Sequence, residues 1–85
     1  MFLARVFITL KPTINDPEGQ TILGGLRDMG IDTVISVRAG KYMEVRLEAK
    51  TQSAAAERVK DMCDKLLANP VIEEYRYEIK PVEDE

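Results

Sequence analysis

The amino-acid sequence predicts an α+β domain in which two helices cover one face of an antiparallel four-stranded sheet. Three observations lead to this prediction: strand-like period-two hydrophobicity at both ends of the chain, a β-branched pair of segments in its middle, and two segments with the apolar stripe of a helix. With 85 residues the chain is one domain, residues 1–85. So short a chain buries only about 60 to 65% of its surface on folding, so a second subunit would help it.

The first strand and the first helix are separated by a clear break. Apolar residues alternate over Phe2–Leu10, and two prolines within residues 11–17 then remove backbone donors. Asn15 or Asp16 is the expected N-cap of a helix that ends at Gly30, a residue suited to a left-handed cap. The apolar stripe of this helix consists of Ile22, Leu23, Leu26 and Met29.

The middle of the chain predicts a β-hairpin. Residues 33–39 are rich in β-branched side chains, residues 42–48 alternate apolar and polar side chains, and Gly40-Lys41 is the expected turn between them. A long helix is expected from Thr51 or Ser53 to Ala68, where Asn69-Pro70 ends it. A last strand follows at residues 71–79, and residues 83–85 form an acidic, solvated tail.

The resulting order, β-α-β-β-α-β, is that of the ferredoxin-like fold. If Ala4, Val6 and Ile8 face the helices, the opposite face of the sheet carries an unusual number of large apolar groups. They are Leu3, Phe7, Tyr42, Val34 and Ile72, interleaved with Arg5, Glu44, Arg46 and Glu48. We therefore expect a second copy or another subunit to cover this second face.

Composition excludes several classes of function. The chain has no histidine and one cysteine, so Ser-His-Asp and Cys-His catalysis, thiolate zinc sites and an intrachain disulfide are excluded. The formal net charge of −3 has the wrong sign for holding nucleic acid by phosphate neutralisation. No signal peptide or membrane span is evident, and a cytoplasmic protein without catalytic, cofactor-binding or metal-binding residues of its own is expected.

Few residues are candidates for catalysis or ligand binding. Cys63 lies in the apolar stripe of the second helix and is expected to be buried, and Gly24-Gly25 is expected to allow close helix packing. The cations Arg38 and Lys41 flank the predicted hairpin turn, where they would either hold an anion or be simply solvated. Glu73-Glu74 is unsuited to paired acid–base catalysis, because consecutive strand residues point to opposite faces.

Three segments resemble the PurS family, the small subunits of phosphoribosylformylglycinamidine synthase. They read K-P-T-I-N-D-P-E-G at residues 11–19, V-R-A-G-K-Y at 37–42 and N-P-V-I-E-E-Y at 69–75. The resemblance extends over essentially the whole chain.

The resemblance implies a non-catalytic subunit that bridges a PurQ-type glutaminase and a PurL-type large synthetase and assists ammonia transfer between them. ATP and Mg²⁺ would bind only in the large subunit. A homodimer that exchanges segments between protomers is implied as well, with Asp32 or Lys50 as the place to look for the hinge. The partner-contact residues implied by the matching segments are Lys11, Pro12, Asn15, Asp16, Pro17, Gly19, Arg38, Gly40, Lys41, Asn69 and Pro70.

Two other functions remain open on the sequence. One is a regulatory module with a small ligand at a dimer interface. The other is an enzyme resembling acylphosphatase, although residues 12–17 contain no arginine and two prolines that lack the amide donors of a phosphate-binding loop.

Overall fold

A computed structural model describes residues 1–83 of the chain, so Asp84 and Glu85 of the expected acidic tail lie outside the described residues. The elements, in chain order, are β1 (Phe2–Leu10), α1 (Pro17–Asp28), β2 (Gly40–Leu47), α2 (Gln52–Met62) and β3 (Glu73–Pro81). A π-helical turn, Cys63–Leu67, extends α2. Neither helix in this part of the chain is long and apolar enough to cross a membrane.

The sheet has three strands in the order β2-β1-β3, and both strand pairs are antiparallel. Residue Phe7 at its centre pairs with Tyr42 on β2 and with Arg76 on β3. We call the face covered by α2 the inner face and the opposite one the outer face. The predicted division is confirmed, because Ala4, Val6 and Ile8 are buried on the inner face.

The hydrophobic core lies between α2 and two of the three strands, since α2 packs over β1 and β3. The buried cluster consists of Ala4, Val6, Ile8, Val59, Cys63 and Ala68. Three inner-face residues of β2, Met43, Val45 and Leu47, are only partly buried. Neither described helix therefore covers the β2 half of the inner face.

The prediction of a fourth strand at residues 33–39 is wrong for the single chain. No backbone-to-backbone hydrogen bond within residues 1–83 involves residues 34–38, and these residues are not part of the sheet. The expected turn residue Gly40 instead begins β2, opposite Thr9. Val34 and Ile72, expected on the second face of the sheet, lie outside its strands.

Helix α1 also departs from the expected two-layer arrangement, because it does not lie on the sheet of its own chain. Its bounds and caps match the prediction, with Asp16 as N-cap and Gly30 at φ +85°. Only Gly19 of α1 is buried, however, and Ile22 and Met29 remain 43% and 74% exposed. Residues 17–38, which we call the arm, thus project from the three-stranded body.

The projecting arm explains the elongated shape. The principal extents are 51 × 29 × 16 Å, and the radius of gyration is 16.5 Å. A compact chain of this length has a radius of gyration of about 12 Å.

The second helix was expected to continue unbroken to Ala68, but it changes to π-helical winding at Cys63. The wider turn, closed by the hydrogen bond from Ala68 N to Cys63 O at 3.1 Å, turns Leu67 toward the core. Leu66 is consequently 82% exposed.

Candidate functional site at the loop end of the sheet

The three segments that carry the resemblance meet at one end of the sheet, where β1 ends and where β2 and β3 begin. We call this region, residues 10–19, 36–41 and 68–73, the loop end. The first and third segments are joined by a hydrogen bond from Lys11 N to Ile72 O at 2.8 Å. All eleven predicted contact residues therefore lie in one region, which their positions in the sequence do not reveal.

Asp16 joins the first segment to the second. Its side chain is 5% exposed, with Oδ1 accepting a hydrogen bond from Gly19 N at 3.0 Å and Oδ2 accepting one from Ala39 N at 2.8 Å. The first bond caps α1, and the second fixes the point where the arm returns to the sheet. The amides of Gly19 and Ala39 hold the pKa of the Asp16 carboxyl below its ordinary value.

We expect Asp16→Asn to lower the melting temperature at neutral pH. The asparagine side chain has one acceptor oxygen, so its NH₂ donor would face the backbone N–H of either Gly19 or Ala39, which would then lack an acceptor. The pKa of Asp16 is lower in the folded state, so the carboxylate stabilises the protein above its ordinary pKa of 3.8. This stabilisation fades as the pH falls through the lower folded-state value.

Thermal denaturation followed by circular dichroism from pH 7 downward measures this effect. The difference in melting temperature between the wild type and Asp16→Asn should shrink as the pH falls below 4. Glu57→Gln, which removes an exposed carboxylate on α2, is the control and should change little. A difference for Asp16→Asn that is constant with pH would contradict the role of the charge.

Glycine at position 19 is required by packing. A Cβ there would overlap the backbone oxygen of Val37 and would also crowd Asp16 Oδ2. A Cβ at Gly40 would likewise overlap the backbone oxygen of Ile8. Both glycines thus permit close backbone approaches at the loop end.

Arg38 is committed to holding the loop after β1. Its guanidinium donates to the backbone oxygens of Ile14 at 3.2 Å, Leu10 at 2.8 Å and Lys11 at 3.1 Å. These bonds occupy the side chain that the sequence suggested as an anion ligand or a partner contact. Arg38 is nevertheless exposed, so it holds the loop after β1 and also remains on the surface of the loop end.

The third segment is fixed by Asn69 and Glu73. Asn69 Oδ1 accepts a hydrogen bond from Val71 N at 3.0 Å, and Glu73 Oε1 accepts one from Asn69 N at 2.7 Å. Lys41 Nζ lies 3.3 Å from Glu73 Oε2, so this carboxylate connects β3 to β2. The pKa of Glu73 is lowered first by the Asn69 amide and then by Lys41.

The sequence suggested neither Glu73 nor Ala39 as part of the site. Glu73 could be examined only as half of an acidic pair, and Ala39 contributes a backbone amide that no residue pattern reveals. A signal for Glu73 did exist, because Lys41 and Glu73 carry opposite charges and lie at the starts of the two strands that flank β1.

The groove between the arm and the loop after β1 has a volume of about 470 Å³ and includes Asn15, Gln20 and Ser36 in its lining. Its charged members, Asp16 and Arg38, are already engaged in the hydrogen bonds described above. No group of three or more potential metal ligands occurs within residues 1–83. Pro12, Pro17 and Pro70 are exposed on the surface of the loop end.

Comparison with known proteins identifies relatives along nearly the whole chain. The family described as PurS: Phosphoribosylformylglycinamidine (FGAM) synthase matches residues 3–81. The phosphoribosylformylglycinamidine synthase subunit PurS of Synechocystis sp. is 46% identical, covering 93% of this chain and 79% of the relative. The subunit of the same name from Bacillus subtilis is 44% identical, covering 96% of both chains.

Solved structures agree with the sequence comparison. PurS from Methanocaldococcus jannaschii has a TM-score of 0.89 at 37% identity, covering 98% of this chain and all of that one. A chain in the structure of PurLQS from Thermotoga maritima has a TM-score of 0.84 at 32% identity, covering 94% of this chain and 99% of that one.

Proposed function

Because this chain belongs to the PurS family and is a subunit of phosphoribosylformylglycinamidine synthase in purine biosynthesis, we propose that it is the non-catalytic bridge of that enzyme. It would hold a PurQ-type glutaminase against a PurL-type large synthetase. The observation that carries this proposal is the match, over 94% of the chain, to a chain in the structure of PurLQS from Thermotoga maritima.

The side chains at the loop end fit such a role. Asp16, Arg38 and Glu73 all hold backbone segments in place, so a partner meets a preformed surface. Preformed surfaces bind without the entropic cost of ordering loops. We assign the partner contacts to residues of this region whose side chains do not hold the loops together, the exposed Pro12, Asn15, Pro17 and Pro70 and the partly buried Lys11.

A bridge benefits the reaction by keeping two active sites together. Glutamine hydrolysis releases ammonia, which becomes unreactive ammonium once it is protonated in water. Tethering the two sites makes the transfer effectively intramolecular and shields the ammonia from solvent. ATP and Mg²⁺ belong to the large subunit in this proposal, and the assembly is cytoplasmic.

Reconstitution tests the bridge. Purified glutaminase and large subunit are assayed for amidine formation, with glutamine or with ammonium salt, in the presence and absence of this chain. We expect the chain to raise the glutamine-driven rate by at least about tenfold and to leave the ammonia-driven rate within about twofold. Equal dependence of the two rates on the chain would contradict the bridging role.

A charge reversal at the loop end tests whether this region forms the partner contact. Lys11→Glu should weaken the glutamine-driven rate, because Lys11 lies on the proposed contact surface and forms no side-chain ion pair within residues 1–83. Lys65→Glu is the control, since Lys65 is 75% exposed on the π-helical turn after α2, outside the loop end, where it pairs with Asp61 of α2 at 2.9 Å. Equal effects of the two variants would place the contact elsewhere.

We further propose that the chain is a homodimer in which the arms are exchanged. The arm carries an exposed apolar helix and an extended, β-branched segment without backbone partners, while the body has an uncovered β2 half and a free β2 edge. The helix of the arm can therefore cover the β2 half of a second copy, and the extended segment can pair with the β2 edge of that copy. The exchange would give each body its fourth strand and its second helix.

Surface area supports the exchange. The chain exposes 6250 Å², whereas a compact protein of its mass exposes about 5,100 Å². The excess of about 1,100 Å² is comparable with the roughly 800 Å² that each partner buries in a standard interface. We place the hinge at Asp16 and Ala39, where the arm leaves and rejoins the body, rather than at Asp32 or Lys50.

A further inference from the structure

The outer face of the sheet remains open even when the arms are exchanged, because the exchange uses the inner face and the edge of β2. Its outer-face residues on β3 alternate in charge along the strand: Glu74, Arg76, Glu78 and Lys80. We call the side chains that neighbour one another across the three strands a row. In the row at the middle of the face, the Phe7 ring lies 5.2 Å from the Tyr42 ring, and the Arg76 guanidinium lies over the Phe7 ring at 4.0 Å from its centroid.

The next row along the strands has acidic side chains at its two sides and a basic one at its centre. Arg5 lies on β1 between Glu44 and Glu78, and its buried Nε has no hydrogen-bond partner within residues 1–83. Adjacent rows thus have complementary charges, with acidic side chains at the sides of one row and an arginine and aromatic rings in the other. Such a surface is complementary to itself when it is rotated by half a turn.

We propose that the outer face binds the outer face of a second copy about a two-fold axis that crosses the strands between Arg5 and Phe7. This rotation places the row of Arg5 opposite the partner's row of Phe7, places the row of Leu3 opposite the partner's row of Thr9, and keeps each strand opposite its own counterpart. Glu78 then faces the partner's Arg76, and Lys80 faces the partner's Glu74.

The remaining pairs in this arrangement are also complementary. The Arg5 guanidinium faces the ring of the partner's Phe7. Within one chain the Tyr42 hydroxyl donates to Glu44 at 2.8 Å and Arg76 Nη1 lies 3.4 Å from Glu78 Oε1, so each of these pairs meets the same pair of the second copy with its order reversed. Arginine stacks well on aromatic rings, and a tyrosine hydroxyl is a good donor to a carboxylate. An unrelated partner surface would have to reproduce all of these matches, whereas a second copy supplies them by symmetry.

The size of the face predicts a weak contact. Three strands about 4.8 Å apart and nine residues long, at about 3.4 Å per residue, give an area of roughly 400 Å² on each copy. This area is about half of what each partner buries in a standard interface. Association through the outer face should therefore depend on concentration and weaken as salt is added.

Charge exchange at the pair of Arg76 and Glu78 tests the two-fold arrangement. Sedimentation velocity at low salt over a range of concentrations measures the mass of the wild type, of Arg76→Glu, and of Arg76→Glu combined with Glu78→Arg. The single substitution places two carboxylates opposite each other twice per interface, so it should weaken the association by at least about tenfold. The double variant should restore it to within about threefold, because every pair is re-formed with its signs exchanged.

Lys65→Glu makes the same kind of charge change away from the face and should not affect the association. The proposal is overturned if Arg76→Glu associates like the wild type, if the double variant does not recover, or if the wild type does not exceed two chains. It is also overturned if Arg76→Glu weakens only binding to the large subunit or the glutaminase. That last result would assign the outer face to another subunit and would leave the bridging function intact.

Discussion

Gly19→Ala is expected to lower the free energy of unfolding by about 2 to 3 kcal/mol. The added methyl group would meet the backbone oxygen of Val37, which cannot move without displacing the arm. It would also crowd Asp16 Oδ2, the atom that accepts the hydrogen bond from Ala39 N. The substitution therefore disturbs both connections at the base of the arm.

Gly24→Ala provides the matched control within the same helix. A Cβ at Gly24 has no neighbouring atom within 4 Å, so the change adds helix propensity without a clash. We expect it to raise the free energy of unfolding by about 0.5 to 1 kcal/mol. Urea denaturation at one fixed protein concentration compares both variants with the wild type, since the proposed dimer would make stability depend on concentration.

Opposite signs for the two alanine variants would support the close approach of α1 to Val37. Destabilisation of equal size at both positions would instead indicate a general intolerance of α1 to substitution. Stabilisation by Gly19→Ala would show that the backbone oxygen of Val37 lies farther from the helix than described.

The elements that the sequence predicted well are those determined by local pattern. The period-two alternation of Phe2–Leu10 and the capping position of Asp16 depend on neighbours within a few residues. Burial of Cys63 followed in the same way from its place in an apolar stripe. Such features survive in any tertiary arrangement that keeps the element.

The wrong prediction at residues 33–39 has a different origin. β-branched residues favour a pleated, half-buried surface, but a strand also requires a neighbouring strand to accept and donate its hydrogen bonds. Within the described chain no such neighbour lies beside residues 34–38. Composition can indicate a strand, but it does not say which chain provides its partner.

The candidate site was predicted only in part for a related reason. Side-chain types suggested Arg38 and Lys41 as free cations, yet Arg38 donates to three backbone oxygens and Lys41 pairs with Glu73. Backbone acceptors are the same for every residue type, so a sequence cannot show which of them a guanidinium will reach. The location of the site followed from the resemblance, and its internal bonds required the structure.

The second large effect is expected when Ile22 and Met29 are both replaced by aspartate. These residues share the exposed apolar stripe of α1, which in the proposed dimer covers the β2 half of the partner's inner face. Burial of each such side chain contributes about 1.5 to 3 kcal/mol, so the double substitution should raise the dimer dissociation constant by at least about 100-fold. Sedimentation velocity measures the dissociation constant, and far-ultraviolet circular dichroism follows the secondary structure.

Gly24→Asp is the control for this experiment, because position 24 lies on the opposite side of α1 from Ile22 and has open space around it. It adds negative charge to the same helix and should leave the dimer intact. The core cluster contains no residue of α1, so the double variant should keep the helical signal of α2 while its mass falls to one chain. If two chains remain together with the wild-type dissociation constant, the arm does not form the interface. The exposed stripe would then need a different occupant, and the missing fourth strand could not be explained by exchange.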